Sequence, residues 1–228
     1  MIEDIKSRIL YEDNHLIIVN KKAGEIVQGD KTGDLPLLEK VRNYLKETYQ
    51  KPGNVFCGLV HRIDRPVSGI VIFTKTSKAL SRMNEMVKTR LMSKRYYAIV
   101  ENEMPAEEGT LTHYLKKNEK QNKTYSSTIP KEGYKEAILQ YRTVGHSEHY
   151  TLLEVTLITG RHHQIRVQLS SVGSPIKGDL KYGARRSNPD GSISLHAAII
   201  AFEHPISHQN ITVEAIPLNV DFLKIWNS

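Results

Sequence analysis

The alternation of apolar and polar positions divides the chain into short, well-marked segments. ILYEDNHLIIVNKKAG, residues 9–24, sets apolar runs on either side of Asp13-Asn14, which predicts two short strands joined by a polar turn. In LPLLEKVRNYLKETYQ the residues Leu38, Val41 and Leu45 recur at helical spacing, and Lys51-Pro52-Gly53-Asn54 stops the helix. GIVIFTK from Gly69 is a strand, and KRYYAIVE from Lys94 is another. Between them Ser77 is a good N-cap for a helix that carries Leu80, Met83 and Val87 on one face. His113 to Gly133 is polar and lysine-rich and loses periodicity after Leu115, so it reads as an exposed loop or a flexible hairpin. YKEAILQYRTV and HYTLLEVTLI alternate like neighbouring antiparallel strands. TGRHHQIRVQLSSVG reads as a turn entering a helix from Arg161, with Ile165, Leu169 and Val172 on one face and Gly173 at the C′ position. SISLHAAIIAFEHP and NITVEAI are two further strands, and LNVDFLKIW closes the chain as a short helix. Strands dominate and strict βαβ alternation is scarce. The fold class is therefore α+β, with a large, mostly antiparallel sheet flanked by helices.

Composition narrows the picture only a little. A chain of 228 residues suits one large domain, or one domain with a small appendage, and buries a core without staples. The single cysteine, Cys57, excludes a disulfide framework and a cysteine-rich zinc site, and beside Phe56 it reads as a small core residue. No stretch at the start reads as a signal peptide and no run could span a bilayer, which favours the cytoplasm. The net charge of +7 suits a polyanionic partner such as nucleic acid.

Candidate chemistry begins at His61-Arg62-Ile63-Asp64-Arg65-Pro66, which interrupts apolar sequence with one carboxylate between two arginines. Arg62, two residues back, shares a face with Asp64 in an extended chain, whereas His61 and Arg65 point elsewhere. Pro66 marks a strand end or turn. An ionised aspartate held by cations serves as nucleophile, general base or electrostatic stabiliser, or simply as a structural salt bridge. In TGRHHQIR a cation, Arg161, stands at a helix start against the macrodipole's preference, and His162 and Arg166 are a helical turn apart. Adjacent histidines diverge, so His162-His163 does not predict a metal site, and no HExxH exists. Tyr96 and Tyr97 alternate across a strand, so one faces the core and the other a surface or cleft. GSPIKGDLKYG from Gly173 contains neither GxGxxG nor a phosphate-binding loop and reads as a shaped turn.

Taken in order, these segments resemble the RluA-type pseudouridine synthases. ILYEDNHLIIVNKKAG is similar to the family's N-terminal motif, HRIDRPVSG to its catalytic HRLDxxTSG motif, SKRYYAIV to the segment with its active-site tyrosine, and TGRHHQIRVQLSSVGSPIKGDLKYG to its C-terminal motif. LHAAIIAFEHP resembles a further block, so the likeness runs from about Ile9 to Pro205. Ile63 replaces the usual leucine and Val67 the usual threonine; Lys22 stands where the family has proline, which would loosen one loop.

The resemblance implies a single pseudouridine synthase catalytic domain over residues 1–228, with a central active-site cleft and no RNA-binding S4 domain. It implies an isomerase that converts uridines of rRNA or tRNA to pseudouridine after base flipping. Asp64 would be the catalytic aspartate, Tyr96 the tyrosine that stacks on the base, and Arg166 the arginine paired with Asp64 in that cleft. Arg62 would hold the backbone or fill the gap left by the flipped base, with His61, Ile165 and Leu169 completing the substrate site. No cofactor and no metal are expected, because the isomerisation needs no redox change or energy input. RNA is the expected partner, and a monomer the expected state. The other class on the same fold is a catalytically silent RNA-binding or ribosome-assembly module, against which the intact Asp64, Tyr96 and Arg166 set argues.

Overall fold

The computed structural model describes residues 2–30, 33–217, 221, 222 and 225. Two compact units divide the chain: one holds the residues up to 92 together with 197–216, the other 93–196 with the described C-terminal positions.

The first unit contains α1 (Ile2–Lys6), β1 (Ile9–Glu12), β2 (Leu16–Lys21), α2 (Leu37–Thr48), β3 (Gly58–Leu59), β4 (Ser68–Thr74) and α3 (Ser77–Lys88). β2 pairs antiparallel with both β1 and β4, and β3 also pairs with β4. The predicted turn between β1 and β2 forms because Asp13 Oδ1 accepts the backbone N–H groups of His15 and Leu16, both at 2.7 Å. The continuous apolar runs of β2 and β4 follow from burial on both faces. Ile17, Val19, Val71 and Phe73 pack with Leu37, Val41 and Leu45 of α2 and with Cys57. Leu16, Ile18, Ile70 and Ile72 pack on the other side with Ala79 and Met83 of α3. Burial pushes the Cys57 thiol up to about 12, in keeping with an inert core residue. The cap of α3 lies one residue before the expected Ser77: Thr76 Oγ1 accepts the N–H of Ala79 at 3.2 Å.

The second unit is built on β5 (Ser93–Val100), β6 (Glu108–Asn118), β7 (Lys123–Ser127), β8 (Lys135–His146), β9 (Thr151–Leu157) and α4 (Gln164–Ser171). Its strands run antiparallel in the spatial order β5-β9-β8-β6-β7. The lysine-rich stretch expected as a loop or flexible hairpin is a regular hairpin. His113, Leu115 and Thr124 turn inward at alternate positions, so apolar periodicity was sparse rather than absent. β10 (Leu195–Glu203) begins in this unit and continues into the first, where β11 (Asn210–Glu214) pairs with it antiparallel. The expected C-terminal helix falls on a stretch of which only Asp221, Phe222 and Ile225 are described.

α4 departs from the one-faced helix that its sequence suggests. All six residues from Gln164 to Leu169 are buried, so each polar side chain must find a partner inside. Gln168 Nε2 donates to the carbonyls of Leu111 and Ala137, bridging β6 and β8. Gln164 Nε2 donates to Ile138 O, while its Oε1 accepts from Thr159 Oγ1 and Arg161 N. Arg161 precedes the helix, whose N-cap is His163 in the left-handed region, so no cation opposes the macrodipole from inside its first turn. Gly173 follows the C-cap at φ +89°, as expected.

Gly69, which opens β4, has φ +114°, and a Cβ there would lie 2.3 Å from the Ala197 carbonyl oxygen. Because the obstacle is backbone, we expect Gly69→Ala to cost about 3 kcal/mol. Urea unfolding checks this, and a loss below about 1 kcal/mol would contradict it.

Candidate active site

Asp64 sits in a tight turn between β3 and β4, closed by the N–H of Val67 donating to the Asp64 carbonyl at 3.1 Å. Pro66 lies inside this turn, where its missing N–H is no loss. The carbonyl of Arg65, next to Asp64, accepts the N–H of Gly24 at 2.8 Å and the Lys21 ammonium at 3.1 Å. Lys21 is 1 % exposed, and its Nζ also reaches the carbonyls of Lys22 at 2.9 Å and Glu25 at 2.8 Å. Three acceptors match the three N–H bonds of an ammonium. Burial nevertheless lowers its pKa to about 7, opposed by the negative charges of Glu25 and Asp64.

The loop after β2 is fastened at several points. Arg8, also buried, binds Glu25 at 2.6 Å and Asp4 at 2.5 Å, and Lys40 binds Glu25 at 2.6 Å. Burial works against ionising Glu25, but the hydrogen bonds from Arg8 and Lys40 outweigh it and hold the carboxyl below its ordinary range. Lys22 donates to Asp4 at 2.5 Å, so the lysine in place of proline does not leave this loop loose.

Of the two arginines beside Asp64, Arg65 points elsewhere, as the extended-chain reading expects. Arg65 turns outward to Asp34 at 2.7 Å in an exposed pair, and Arg62 is exposed. The negative charge of Asp64 acts on the buried Lys21. His61 is half-buried.

The second unit gathers the other candidates on one face of its sheet. Tyr96 lies opposite Val155, and Val155 opposite Tyr141. Ala137, four positions before Tyr141 on β8, shares that face by alternation and packs against Val167 of α4. Tyr96 is thus on the α4 side and buried, whereas Tyr97 packs on the far side with Ile99 and Leu152. On α4, Arg166 is 5 % exposed and binds Asp179 through two contacts, Nε to Oδ2 at 2.7 Å and Nη2 to Oδ1 at 2.9 Å. Its guanidinium carbon stands 5.1 Å from the ring centre of Tyr182. Ile165 and Leu169 are buried on the same helix.

Tyr182 also ties the β6–β7 hairpin to the start of α4. Its hydroxyl accepts the N–H of Thr124 at 2.8 Å and lies 2.8 Å from His163 Nδ1. The Tyr182 hydroxyl and His163 Nδ1 share one hydrogen bond, whose donor is set by the imidazole tautomer. Burial, with Arg166 adding to it, pushes the His163 pKa down to about 2, so the imidazole is neutral. His162 and His163 stack at 3.7 Å rather than diverging, and Thr124 Oγ1 meets His162 Nδ1 at 2.7 Å.

A family model described as RNA pseudouridylate synthase matches residues 15–171, well over half of the chain. The chain belongs to this family. It is an RNA pseudouridine synthase, an isomerase. Among similar proteins is "Ribosomal large subunit pseudouridine synthase C" of Buchnera aphidicola from Acyrthosiphon pisum, 33 % identical over 99 % of this chain and 71 % of that protein. Another is "Uncharacterized RNA pseudouridine synthase YlyB" of Bacillus subtilis, 29 % identical over 99 % of this chain and 73 % of that one. The solved structure of human RNA pseudouridylate synthase domain containing 4 superposes with TM-score 0.81, covering 97 % of this chain and 92 % of that one at 21 % identity, a likeness of fold. No helix among the synthase's described residues is long and apolar enough to cross a membrane.

Three residues that organise the two halves of the synthase were not picked out from sequence: Lys21, Asp179 and Tyr182. Lys21 ends an apolar strand, a place where a lysine ordinarily reaches solvent. Asp179 and Tyr182 lie in the segment read as a shaped turn. The one available signal was an acid 13 positions after a helical arginine, and loop closure at that distance has no periodicity.

Lys21 gives a pH-dependent expectation. The unfolded lysine keeps its proton up to about 10.4, whereas the folded one loses it near 7. Between these values the unfolded chain binds more protons, so stability contributed by this residue rises with pH. We expect the stability of the wild type relative to Lys21→Met to increase from pH ~7 to ~9.5 in denaturant titrations. A difference that stays flat or falls over that window would contradict the lowered pKa of Lys21.

Proposed function

We propose that the synthase isomerises specific uridines of ribosomal or transfer RNA, with Asp64 as the catalytic aspartate and Tyr96 and Arg166 acting on the same flipped nucleotide. The names borne by its Buchnera relatives favour large-subunit ribosomal RNA. The observation that carries the reading is the turn at Asp64, whose following carbonyl is pinned by a buried lysine. A side chain intended for catalysis needs a fixed backbone beneath it.

A uridine inside a stack hides its glycosidic bond, so the base must leave the helix. Asp64 then attacks C1′ of the ribose or assists formation of a glycal-type intermediate. The bond between N1 and C1′ breaks with its electrons going to the uracil, which turns to present C5. C5 bonds to C1′, C5 loses its proton, and N1 gains one. Atoms and electrons balance without any oxidant or second substrate. Tyr96 is assigned to the face of the uracil and to uptake of the C5 proton. Arg166, oriented by Asp179, is assigned to keeping the Asp64 carboxylate ionised. Arg62 and His61 are assigned to the RNA around the target, and Ile165, backed by Leu169, to an apolar wall beside the base. On this reading the synthase works in the cytoplasm as a monomer, without a cofactor.

Asp64→Asn should bind RNA with wild-type affinity and form no detectable pseudouridine, and Arg166→Ala should lose at least about 100-fold in kcat. Pseudouridine mapping across cellular RNA, with and without the gene and in excess EDTA for the purified protein, checks both. Undiminished product from Asp64→Asn would remove its assigned role, and normal turnover by Arg166→Ala would remove the pairing.

A further inference from the structure

The β6–β7 hairpin concentrates charge that the assigned chemistry does not use. Tyr114 to Lys135 contains six lysines against two glutamates, so these 22 residues hold four of the chain's seven net positive charges. Aromatic side chains are interleaved with the lysines on one face. Lys116 and Tyr125 are direct partners across the ladder. The Lys116 ammonium lies 5.8 Å from the ring centre of Tyr134, and that of Lys123 lies 5.9 Å from the ring centre of Tyr125. Tyr114, two positions from Lys116 on the same strand, shares the face by alternation. Tyr125 is 43 % exposed.

By alternation this face lies opposite the one that packs on α4, although the Lys123 side chain reaches back so that its ammonium lies 5.5 Å from the ring centre of Tyr182. Leu115 and Thr124, on the inner side, pack with or hydrogen-bond to Tyr182. The inner contacts hold the hairpin rigid while leaving Tyr125 and Lys116 exposed and Tyr134 and Lys123 half-exposed on the outer face. Tyr96 and Arg166 belong to the opposite side of the same sheet, so the outer face does not hold the reacting base.

We infer that the outer face of the β6–β7 hairpin is a stacking platform for single-stranded RNA flanking the target. Tyr125 and Tyr134 supply ring faces for bases, and Lys116 and Lys123 neutralise the phosphates between them. Alternating rings and cations on a rigid strand pair suit a single strand, whose bases are free to stack. A duplex hides its base faces and would meet only the lysines. The inference rests on the chain's acting on RNA and adds which form of RNA it holds next to the target.

The test uses the full chain with two labelled probes, a 12-nucleotide oligouridylate and a blunt RNA hairpin, followed by fluorescence anisotropy over a salt series. Tyr125→Ala should weaken oligouridylate binding about 10-fold and leave the hairpin probe unchanged, while Tyr125→Phe should bind as the wild type does. Lys116→Gln should reduce the salt slope for the single strand by about 0.7. Oligouridylate affinity indifferent to Tyr125→Ala, or equal losses for Tyr125→Phe and Tyr125→Ala, would overturn the platform. Pseudouridine formation by the wild type in the same preparation separates the cases. Its absence would count against the proposed function, whereas an active enzyme with indifferent Tyr125 variants overturns the platform alone.

Discussion

A buried ammonium on three backbone carbonyls is the constraint on which the turn at Asp64 depends. Lys21 ends β2 and joins the carbonyls of Lys22, Glu25 and Arg65, which lie in two loops far apart in sequence. Taking an ammonium out of water is costly, and the cost is recovered only when every N–H is matched. That requirement fixes the geometry. If either loop shifts, a buried donor or acceptor is left unpaired, at about 1–3 kcal/mol for each group. The Arg8, Glu25 and Lys40 ion pairs hold the same loop from outside. The turn that carries Asp64 therefore inherits the rigidity of the strand beneath it rather than the mobility usual for a loop.

The second unit solves a related problem with different parts. α4 is buried all round although half of its buried residues are polar, so its position is set by hydrogen bonds as much as by apolar packing. Gln164 and Gln168 bolt it to the carbonyls of β6 and β8, and Asp179 grips Arg166 with both oxygens. A buried pair of this kind costs about 3–5 kcal/mol when one partner is removed, which holds the guanidinium in one orientation. Tyr182 then joins this assembly to the hairpin through Thr124, so the arginine and the lysine-rich arm share one support.

Much of this was legible in the sequence because it depends on local pattern. The apolar runs of β2 and β4, the spacing of Val41 and Leu45 in α2, and Gly173 after α4 each follow from period or from φ. The motifs around Asp64, Tyr96 and Arg166 identified the family, and the family comparison agrees. What was not legible depends on distant partners. Arg65 was expected to point away from Asp64, but that its guanidinium goes to Asp34 and its carbonyl to Lys21 was not legible. The hairpin from Glu108 to Ser127 lacked obvious periodicity because its inward positions include His113 and Thr124, polar residues buried against hydrogen-bond partners. Thr76 rather than Ser77 caps α3, since either residue satisfies the sequence rule and only the chain path decides between them.

The central proposal is that this chain moves the glycosidic bond of a uridine in RNA from N1 to C5, which releases the hydrogen at C5, and that the reaction requires the carboxylate of Asp64 at C1′. Tritium at C5 of uridine reports that event directly. RNA from cells lacking the gene, labelled with 5-tritiated uridine, would be incubated with the purified protein and the tritium released to water counted. The account predicts release by the wild type with no added cofactor, and only background release by Asp64→Asn. No release by the wild type, or equal release by the two proteins, would contradict it.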